Sequence, residues 1–479
     1  MKQFILSILL ISAASINMNA WNKEISGEIK DTFGKGISEV VISDGYNTTT
    51  SDKDGKYILN TSDKSRFVFI STPSGYISNV RESNNNGCFY QKLQNDASIY
   101  NFTLIKNPKD DKKHNIIVTA DPQVLDCEDI ELMKKRINTM LPIVAKAKEE
   151  YTFGICLGDI VGYDHSLYPE YQKAIDTLDI DFRHVQGNHD MYRNGIRTHE
   201  GSMEKYENFF GPAWYSFNVG DVHYIVMNNN FYIGRDWFYI GYLDETQLEW
   251  LEKDLSYISK NKKVVVCLHI PTTLSQQDRD RFAYSDLPEI QANKSPLYDI
   301  LAPYDALILS GHMHTCTTQN INNHLTEINV GGLCGAWWCG DICIDGGPAG
   351  YKVINMDGTQ STWTYIGCGY PEDYQMKVYI NDSKHPGEVI VNVWDYDDKW
   401  TVEYFENGEK ICDMERFTTQ DPYALDLFSD PSKYKISWVG ASNNDRFFKA
   451  KLSNKAKKIE IKVTDRFGRI YSKKLKIKR

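Results

Sequence analysis

The chain has 479 residues, of which 41% are hydrophobic and 25% charged, and its 54 Lys and Arg face 64 Asp and Glu for a net charge of −10. This composition is typical of a globular protein with two to four domains, and the sequence contains no internal repeat, heptad pattern or low-complexity tract. The acidic balance argues against a nucleic-acid reader, because most of the molecule would repel a phosphate backbone.

The N-terminus has the pattern of a secretory signal peptide. Lys2 precedes an apolar run at residues 4–16 that is too short to span a bilayer, and Ala20 is the expected cleavage position, with Ala14 as the alternative. No later segment is long enough to span a membrane. Residues 1–20 are therefore predicted to be removed, and the mature protein is expected to be exported to the periplasm or the extracellular space.

Residues 21–108 are dense in short β segments that Gly-containing turns separate, which predicts a small β-sandwich. The stretch "ISGEIKDTFGKGISEVVISDG" resembles the carboxypeptidase-regulatory-like β-sandwich modules that precede many secreted enzymes. The region contains no set of acidic, His or Cys residues able to carry out chemistry. It is predicted to be a non-catalytic domain, followed by a polar linker at 106–113.

From residue 113 to residue 357, buried apolar runs alternate with helical patterns. The runs are "IIVTAD", "FGICLGD", "VVVCLHI" and "ALILSGH". Asp244 and Gln247 have the spacing of a capping box directly before the apolar positions of one predicted helix. Buried strands that alternate with helices indicate an α/β layered domain.

The buried strands of this domain end in residues that can bind metal. In open α/β sheets, ligands bind beyond the carboxyl ends of the strands, so these residues are expected to meet at one edge. A single Asp-Pro pair would be ordinary turn chemistry, but five such strand ends indicate a shared site. The candidates in chain order are Asp121, Gln123, Asp159, Asn188, His189, Asp190, His269, His312 and His314.

The middle domain resembles the calcineurin-like metallophosphoesterases in the combined motif Asp121-x-Gln123, Gly158-Asp159-x-x-Gly162, Gly187-Asn188-His189-Asp190, His269 and Gly311-His312-x-His314. The three-module order resembles secreted bacterial members with an N-terminal sandwich and a family-specific C-terminal domain. The resemblance implies an α/β fold, a four-layer αββα sandwich, flanked here by two all-β sandwich domains. It implies a first metal ion held by Asp121, Gln123, Asp159 and His314. It implies a second ion held by Asp159, Asn188, His269 and His312, with Asp159 bridging.

The ligand types agree with phosphoryl chemistry at two metal ions. Cations about 3.5–4 Å apart can hold the attacking and leaving oxygens of an in-line displacement, and their shared water becomes the hydroxide nucleophile near neutral pH. Oxygen and imidazole ligands suit Mn, Fe or Zn. The commonest family pattern has His where this chain has Gln123. The amide oxygen keeps one donor atom, so metal identity stays open, with a preference for Mn or Fe.

His189 has no metal in this scheme. Its place beside Asn188 predicts contact with phosphate oxygens and protonation of the leaving alkoxide, with Asp190 orienting the ring. Four other histidines of this domain are interpreted as surface or structural residues and receive no role. They are His165, His184, His199 and His223.

The loop at 334–340, "CGAWWCG", follows the last β segment of the domain. Trp337 and Trp338 have two interpretations. Either they line the pocket and stack on an apolar, planar or sugar face of the substrate, or they pack the junction with the C-terminal domain. A nucleotide, a phosphorylated glycan and a phospholipid headgroup would suit the first interpretation equally.

The spacing of the cysteines and the expected compartment indicate whether they bind metal, form disulfides or stay free. A C-x-x-C zinc signature is absent, and the cluster of Cys334, Cys339 and Cys343 with Cys368 favours one or two disulfides in an oxidising compartment. Cysteines inside the apolar strands are predicted to be inert core residues; these are Cys156 and Cys267.

Residues 360–479 return to alternating strands and predict a second β-sandwich, with Asn407-Gly408 as a hairpin turn. Residues 451–479 carry twelve Lys and Arg against Glu460 and Asp465. This basic end is interpreted as a Lys-rich edge strand that resists aggregation. Contact with an anionic surface is the alternative.

The favoured function is an exported dinuclear-metal phosphoesterase that acts on a phosphomonoester or phosphodiester of a small molecule, glycan or lipid. The alternatives are a protein Ser/Thr phosphatase and a non-catalytic surface-binding protein. The complete ligand set with His189 argues against the non-catalytic alternative. The sequence leaves the natural substrate and the oligomeric state open.

Overall fold

The computed structural model of the chain describes residues 23–78, 89–235, 238–273 and 286–477. The predicted signal peptide, residues 1–20, lies outside the described residues. In the part of the chain that the structure describes, no helix is long and apolar enough to cross a membrane.

The N-terminal region forms two four-stranded sheets. Its strands are β1 (Glu24–Asp31), β2 (Val41–Ser43), β3 (Thr48–Thr50), β4 (Lys56–Asn60), β5 (Phe67–Ser71), β6 (Tyr76–Ile77), β7 (Tyr90–Lys92) and β8 (Phe102–Lys106). Their order is β4-β1-β8-β6 in one sheet and β3-β2-β5-β7 in the other. Buried residues alternate with more exposed ones along β1 and β4, because one face of that sheet packs on the core. The region is a β-sandwich.

The central region alternates strands with helices. Its elements begin with β9 (Lys113–Thr119), α1 (Cys127–Ala147), β10 (Tyr151–Cys156), α2 (Tyr168–Asp176), β11 (Phe182–His184), α3 (His199–Ser202), α4 (Glu204–Phe210), β12 (Tyr215–Val219) and β13 (Val222–Val226). They continue with β14 (Asn230–Arg235), β15 (Phe238–Gly241), α5 (Glu245–Ser256), β16 (Lys263–Cys267), α6 (Lys294–Leu301), β17 (Asp305–Ser310), β18 (Thr317–Asn320), β19 (Leu325–Asn329), β20 (Gly350–Asp357) and β21 (Gln360–Gly367).

These strands form two sheets, ordered β11-β10-β9-β20-β21 and β12-β13-β16-β17-β19-β18, and a separate β14-β15 hairpin. Strands β9, β10 and β11 run parallel, as do β13, β16, β17 and β19. The sheets pack face to face: the Phe153 ring of β10 lies 5.6 Å from that of Phe217 on β12 and 5.3 Å from that of Tyr224 on β13. Helices α1 and α2 pack together, as do α5 and α6. The predicted α/β layered core is confirmed.

The start of α5 confirms the capping prediction. The Asp244 side chain accepts a hydrogen bond from the Gln247 backbone N–H at 2.9 Å, which satisfies one of the unpaired amides of the first turn. Gln247 is buried and its side chain instead bonds the backbone of Asn228. The helix start therefore also fixes the chain after β13.

Strand β21 lies in the central sheet, whereas the sequence placed residues from 360 onward in the C-terminal sandwich. It pairs antiparallel with β20 from Gly350–Gly367 to Asp357–Gln360, and β20 pairs with β9. Alternating burial looks the same in either sheet, so the sequence pattern did not distinguish the two partners.

The C-terminal region forms two further four-stranded sheets. Its elements are β22 (Lys377–Ile380), β23 (Glu388–Asn392), β24 (Thr401–Glu406), β25 (Glu409–Asp413), β26 (Glu415–Gln420), α7 (Pro422–Leu427), β27 (Asn443–Lys451), β28 (Lys458–Thr464) and β29 (Ile470–Lys476). The orders are β22-β23-β27-β26 and β25-β24-β28-β29, so the basic strand β29 is an edge strand. Asn407 and Gly408 turn between β24 and β25 with φ of 50° and 97°, as a type I′ hairpin requires.

The cysteines correct one expectation. The nine cysteines within the described residues are all free, so the structure contains none of the predicted disulfides among them. Cys334, Cys339 and Cys343 lie close in sequence, but each thiol points to a different backbone carbonyl, those of Gly335, Trp337 and Pro348 among them. The two strand cysteines are buried as predicted, and burial raises the pKa of Cys156 to about 12.

Candidate active site

Parallel strands bring the predicted ligands to one edge of the core. Strands β9 and β10 end two and three residues before Asp121 and Asp159, and β16 and β17 each end two residues before His269 and His312. Because the strands within each sheet run parallel, their carboxyl ends lie together. The apolar strands thus position polar side chains that are themselves buried.

One group of donor atoms surrounds His269. The His269 Nε2 atom lies 3.3 Å from Asp159 Oδ1, 2.9 Å from Asn188 Oδ1 and 3.2 Å from His312 Nδ1. Ligand atoms of Asp159, His269 and His312 all lie within 4.8 Å of one another. This is the set of four residues predicted for the second metal ion.

The second group of donor atoms lies on the other side of Asp159. The Gln123 amide donates to Asp159 Oδ2 at 2.9 Å, and His314 Nε2 lies 3.7 Å from Asp121 Oδ1. Asp159 therefore turns one carboxylate oxygen to each group. This is the position that a carboxylate shared by two metal ions needs.

Backbone carbonyls orient the three imidazoles. His269 Nδ1 donates to the Leu157 carbonyl at 2.7 Å, His312 Nε2 to the Pro288 carbonyl at 2.9 Å and His314 Nδ1 to the Gly335 carbonyl at 2.6 Å. In the neutral form of each ring, a proton on this nitrogen leaves the other ring nitrogen as a lone-pair donor. Such outer hydrogen bonds are the usual support of metal-binding histidines.

Two buried donor atoms test whether the residues fit metal ions. Within the described residues, Gln123 Oε1 and His314 Nε2 are buried and have no hydrogen-bond partner. Buried polar atoms are almost always satisfied, so these two unpaired atoms call for a ligand. Carboxylate, amide and imidazole donors are the set expected for Mn, Fe or Zn, so the residues present fit two such ions.

The backbone at the site is held in an uncommon conformation. Five of the predicted ligands have left-handed φ values, namely Asp121 (49°), Gln123 (39°), Asp159 (51°), His312 (74°) and His314 (50°). Non-glycine residues visit this region rarely, and it persists where the surrounding structure enforces it. Gly187 shows how tight the site is, because a Cβ there would lie 2.0 Å from the Asp159 backbone nitrogen.

Burial and mutual charge set the protonation of the central groups. Burial raises the pKa of Asp121 well above its usual value, against the opposing charge of His269. Burial also acts to raise the pKa of Asp159, but His269 and His189 outweigh it and hold it below its usual value. For His269, burial acts to lower the pKa, and Asp159 and Asp121 together raise it to about 9. Neighbouring positive charge is therefore what favours the ionised form of these buried carboxylates.

The other two predicted imidazole ligands are neutral near pH 7. Burial lowers the pKa of His312 to about 3, with a further contribution from His269, and burial lowers the pKa of His314 to about 4. Neutral imidazole is the form that binds a metal ion.

His189 lies at the open side of the site. Its backbone N–H donates to Asp159 Oδ1 at 2.8 Å, and its ring stacks on Tyr163 at 4.1 Å between centroids, with Nε2 3.3 Å from the Tyr163 hydroxyl. The His189 side chain is 20% exposed, whereas that of Asp159 is 1% exposed. Burial lowers the pKa of His189 to about 4. The ring can thus reach a substrate above the metal ligands.

Asp190 differs from its predicted role. Its carboxylate accepts hydrogen bonds from the backbone N–H groups of Ile160, Val161 and Gly187 and from the Tyr168 hydroxyl. Burial raises its pKa to about 7, with a contribution from Asp159. Asp190 therefore fixes the loops that carry Asp159 and Asn188, and Tyr163 rather than Asp190 contacts the His189 ring.

Two site residues were missed in the sequence. Tyr163 directly follows the Gly158-Asp159-x-x-Gly162 motif, so proximity to the motif could have indicated it. Trp438 lies in the C-terminal region and packs edge-on against Trp337 at 4.4 Å. No local signal marks Trp438, because its role follows from a tertiary contact.

The two tryptophans of the loop at 334–340 lie in different surroundings, so the two interpretations apply to them differently. Trp338 is half-buried and packs against the core: its Nε1 donates to the Pro122 carbonyl at 3.1 Å, and the Arg136 guanidinium lies over its ring at 4.6 Å. Trp337 stacks on the His314 imidazole, with 4.0 Å between centroids and 17° between planes. Trp337 also meets Trp438 of the C-terminal region, so it belongs both to the site and to the junction.

Gln123 offers a test of the ligand set. We expect Gln123→Ala to weaken binding of one of the two ions, because it removes the buried orphan oxygen, and Gln123→His to stay active with preference moved towards zinc, since imidazole is the softer ligand. Metal content and calorimetric titration measure both effects. Gln172→Ala on the surface of α2 is the matched control, and unchanged affinity for both ions in Gln123→Ala would show that Gln123 is not a ligand.

Family models match three consecutive parts of the chain. Residues 23–107 match the N terminal of calcineurin-like phosphoesterase, residues 114–316 match calcineurin-like phosphoesterase, and residues 327–471 match the C terminal of calcineurin-like phosphoesterase. The central model spans all seven predicted metal ligands.

Individual proteins match shorter parts. "Probable glycerophosphodiester phosphodiesterase GpdQ" from Arcobacter nitrofigilis is 27% identical over 195 residues, 40% of this chain and 66% of the relative. "Serine/threonine-protein phosphatase CPPED1" from Homo sapiens is 30% identical over 132 residues, 27% of this chain and 40% of the relative. The match thus spans less than two thirds of either relative. A solved dimetal phosphatase from Danio rerio is 14% identical with a TM-score of 0.38, over 53% of this chain and 96% of that chain.

Proposed function

Because this chain is a calcineurin-like phosphoesterase with the N-terminal and C-terminal domains of a family of dimetal-dependent phosphoric ester hydrolases, we propose that it hydrolyses a phosphomonoester or phosphodiester. The single observation that carries this proposal is the position of Asp159 between two groups of donor atoms. One group lies around His269 and the other includes Gln123, Asp121 and His314.

The residues divide into metal binding and substrate handling. Asp121, Gln123, Asp159 and His314 would hold one ion, and Asp159, Asn188, His269 and His312 the other. Two such ions supply an activated water and neutralise the phosphate charge in the transition state. Neutral His312 and His314 carry no positive charge. The negative charges of the carboxylates and of the substrate phosphate would therefore be balanced by the two ions.

His189 is the candidate general acid. Its ring stacks on the Tyr163 ring at the exposed side of the predicted metal ligands, where a phosphate would lie. An arriving phosphate dianion favours the protonated imidazole, because opposite charge raises a histidine pKa. The ring can then give its Nε2 or Nδ1 proton to the departing alkoxide oxygen.

Metal dependence is the first test. We expect chelation to abolish hydrolysis and Mn, Fe or Zn to restore it, because the proposed nucleophile is a water that the two ions would activate. A panel of phosphomonoesters, phosphodiesters and a phosphoserine peptide, assayed with each metal, separates the classes. Hydrolysis that survives complete metal removal would contradict the proposal, and phosphopeptide preference would favour a protein phosphatase.

The relatives' names leave the ester class open, because one names a diesterase and the other a protein phosphatase. Export is also part of the proposal and is supported by the signal-peptide pattern of residues 1–20. An exported enzyme meets small phosphoesters more often than phosphoproteins. N-terminal sequencing of the mature protein tests cleavage after Ala20 or Ala14. The carboxypeptidase-regulatory-like type of the N-terminal sandwich rests on the sequence resemblance alone.

Contact with an anionic surface through the basic C-terminal strand is a minor part of the proposal. The supporting observation is that β29 lies at a sheet edge with mostly exposed residues. Binding to anionic lipid vesicles that falls with salt would support it.

A further inference from the structure

Two tryptophans, one from the central region and one from the C-terminal region, form an aromatic surface beside the predicted metal ligands. We call Trp337 and Trp438 the tryptophan pair. The Trp337 ring covers the His314 imidazole at 4.0 Å, and Trp438 meets Trp337 edge-on at 4.4 Å and 71°. Trp438 is 65% exposed. An open aromatic face therefore lies one ring away from a predicted metal ligand.

The loop that carries Trp337 is held firmly in place. Trp337 and Trp338 have consecutive left-handed φ values of 49° and 63°. Trp338 is fixed by its bond to the Pro122 carbonyl and by Arg136, which also donates to the Gly340 carbonyl at 2.6 Å. Strained backbone that its surroundings enforce is typical of ligand sites. The loop thus presents the Trp337 ring in one orientation.

A polar groove of about 540 Å³ lies between the central and C-terminal regions. We call it the junction groove. Met313, which lies between His312 and His314 in the chain, lines it, and so does Ser442, four residues beyond Trp438. Neither tryptophan is in the lining, but Trp337 and the lining residue Ile344 pack against the same small apolar cluster, so the junction groove lies near the tryptophan pair.

The lining of the junction groove suits an uncharged group with many hydroxyls. It includes hydroxyl, amide and carboxylate side chains such as Thr318, Asn443 and Asp398. The two arginines of its described lining are paired: Arg416 contacts Asp398 at 2.9 Å and Asp445 at 2.8 Å, and Arg446 contacts Asp345 at 2.6 Å. A second phosphate would meet carboxylates there, and a lipid tail would meet polar atoms.

We propose that the tryptophan pair and the junction groove bind a sugar, so that the substrate is a phosphorylated sugar or glycan; this rests on the proposed phosphoesterase function. A sugar ring has an apolar C–H face that packs on an indole and a rim of hydroxyls that exchange hydrogen bonds with amides and carboxylates. A nucleobase could also stack on the tryptophan pair, but its hydrogen-bonding groups lie in the plane of one flat ring system and include no hydroxyl.

The test compares three leaving groups on the metal-loaded enzyme. These are glycerol 1-phosphate without a ring, 4-nitrophenyl phosphate with a flat ring, and the 1-phosphates of glucose, mannose and N-acetylglucosamine, or their methyl diesters if diesters are preferred. We expect Trp438→Ala to lower kcat/KM for the best hexose ester, relative to glycerol 1-phosphate, about tenfold. Trp438→Phe should recover most of this loss, because it restores a flat ring.

Asn443→Ala separates a sugar from a plain aromatic group. We expect it to lower kcat/KM for the hexose ester about fivefold and to leave the ratio of nitrophenyl to glycerol ester unchanged, since it removes one hydrogen-bonding amide. Phe33→Ala, which removes an aromatic ring that is 89% exposed in the N-terminal region, is the matched control and should change no ratio.

Several results would overturn the inference. Equal losses on hexose and glycerol esters in Trp438→Ala would show that Trp438 supports the metal site rather than a sugar. A loss on ring substrates that Asn443→Ala does not share would assign the site to a planar aromatic group. A wild-type protein that hydrolyses none of the esters overturns the proposed function instead. Calorimetric binding of glucose, mannose and N-acetylglucosamine 1-phosphates then tests the sugar site alone, with about tenfold weaker binding expected in Trp438→Ala.

Discussion

Asp159→Ala should reduce hydrolysis of every phosphoester by roughly 10³-fold or more, the largest loss expected of any single ligand change. The physical reason is that this carboxylate turns one oxygen to each group of donor atoms, with Oδ1 3.3 Å from His269 Nε2 and Oδ2 2.9 Å from the Gln123 amide. Its removal takes a ligand from both ions at once. The loss should appear in kcat, with metal content measured on the same preparation.

The control for this change is Asp54→Ala, which removes an exposed carboxylate from the N-terminal sandwich. It should leave turnover and metal content unchanged. Asp121→Ala should cost less than Asp159→Ala, because Asp121 belongs to one donor group only. Near-normal turnover in Asp159→Ala, with the protein folded, would exclude a shared carboxylate and with it the two-metal assignment.

The layered core could be predicted because its strands are buried on both faces. Runs such as residues 263–267 and 305–310 are apolar except at their ends, and all of their residues but Asp305 are buried. Polar residues directly after such runs then stand out in the sequence. Asp121, Asp159, His269 and His312 were found in this way, and the structure places them at one edge of the core.

Contacts between distant segments could not be predicted. Trp438 is 101 positions from Trp337, and no periodicity or motif connects the two residues. Asp190 was given to His189 because the two are adjacent in sequence, yet adjacent side chains in a turn point in different directions. The structure shows that Asp190 points into the protein, where three backbone amides and Tyr168 bind its carboxylate.

The same limit explains why strand β21 was placed in the other region. Its burial pattern fits any two-layered β structure, and only its pairing with β20 identifies its sheet. The local burial pattern specifies which residues face a core, whereas pairing with other strands decides which core that is. For the site this means that the candidate metal ligands could be read from the chain, whereas the contacts around them required the fold.

His189→Ala should slow hydrolysis of alkyl or sugar phosphates by 10²–10⁴-fold, the range of general acid catalysis, and slow nitrophenyl esters far less. An alkoxide of high pKa needs a proton as it leaves, whereas a nitrophenolate departs without one. The ring is well placed to supply that proton, because it stands on Tyr163, is partly exposed, and is held through its backbone N–H by Asp159 at 2.8 Å. The measurement is kcat for matched alkyl and nitrophenyl esters.

Metal content decides between this role and a structural one, because His189 lies next to the predicted ligand Asn188. Both ions should stay bound in His189→Ala, and His324→Ala, which removes an exposed imidazole next to β19, should change neither rate. Tyr163→Phe should keep the ring stack and lose only the hydroxyl 3.3 Å from Nε2, so its effect on alkyl esters should be much smaller than that of His189→Ala. Equal losses on both ester types would mean that His189 stabilises phosphate charge instead, and loss of an ion would make it part of the metal centre. A leaving-group-dependent loss would therefore assign the proton transfer to the His189 ring rather than to the predicted metal ligands.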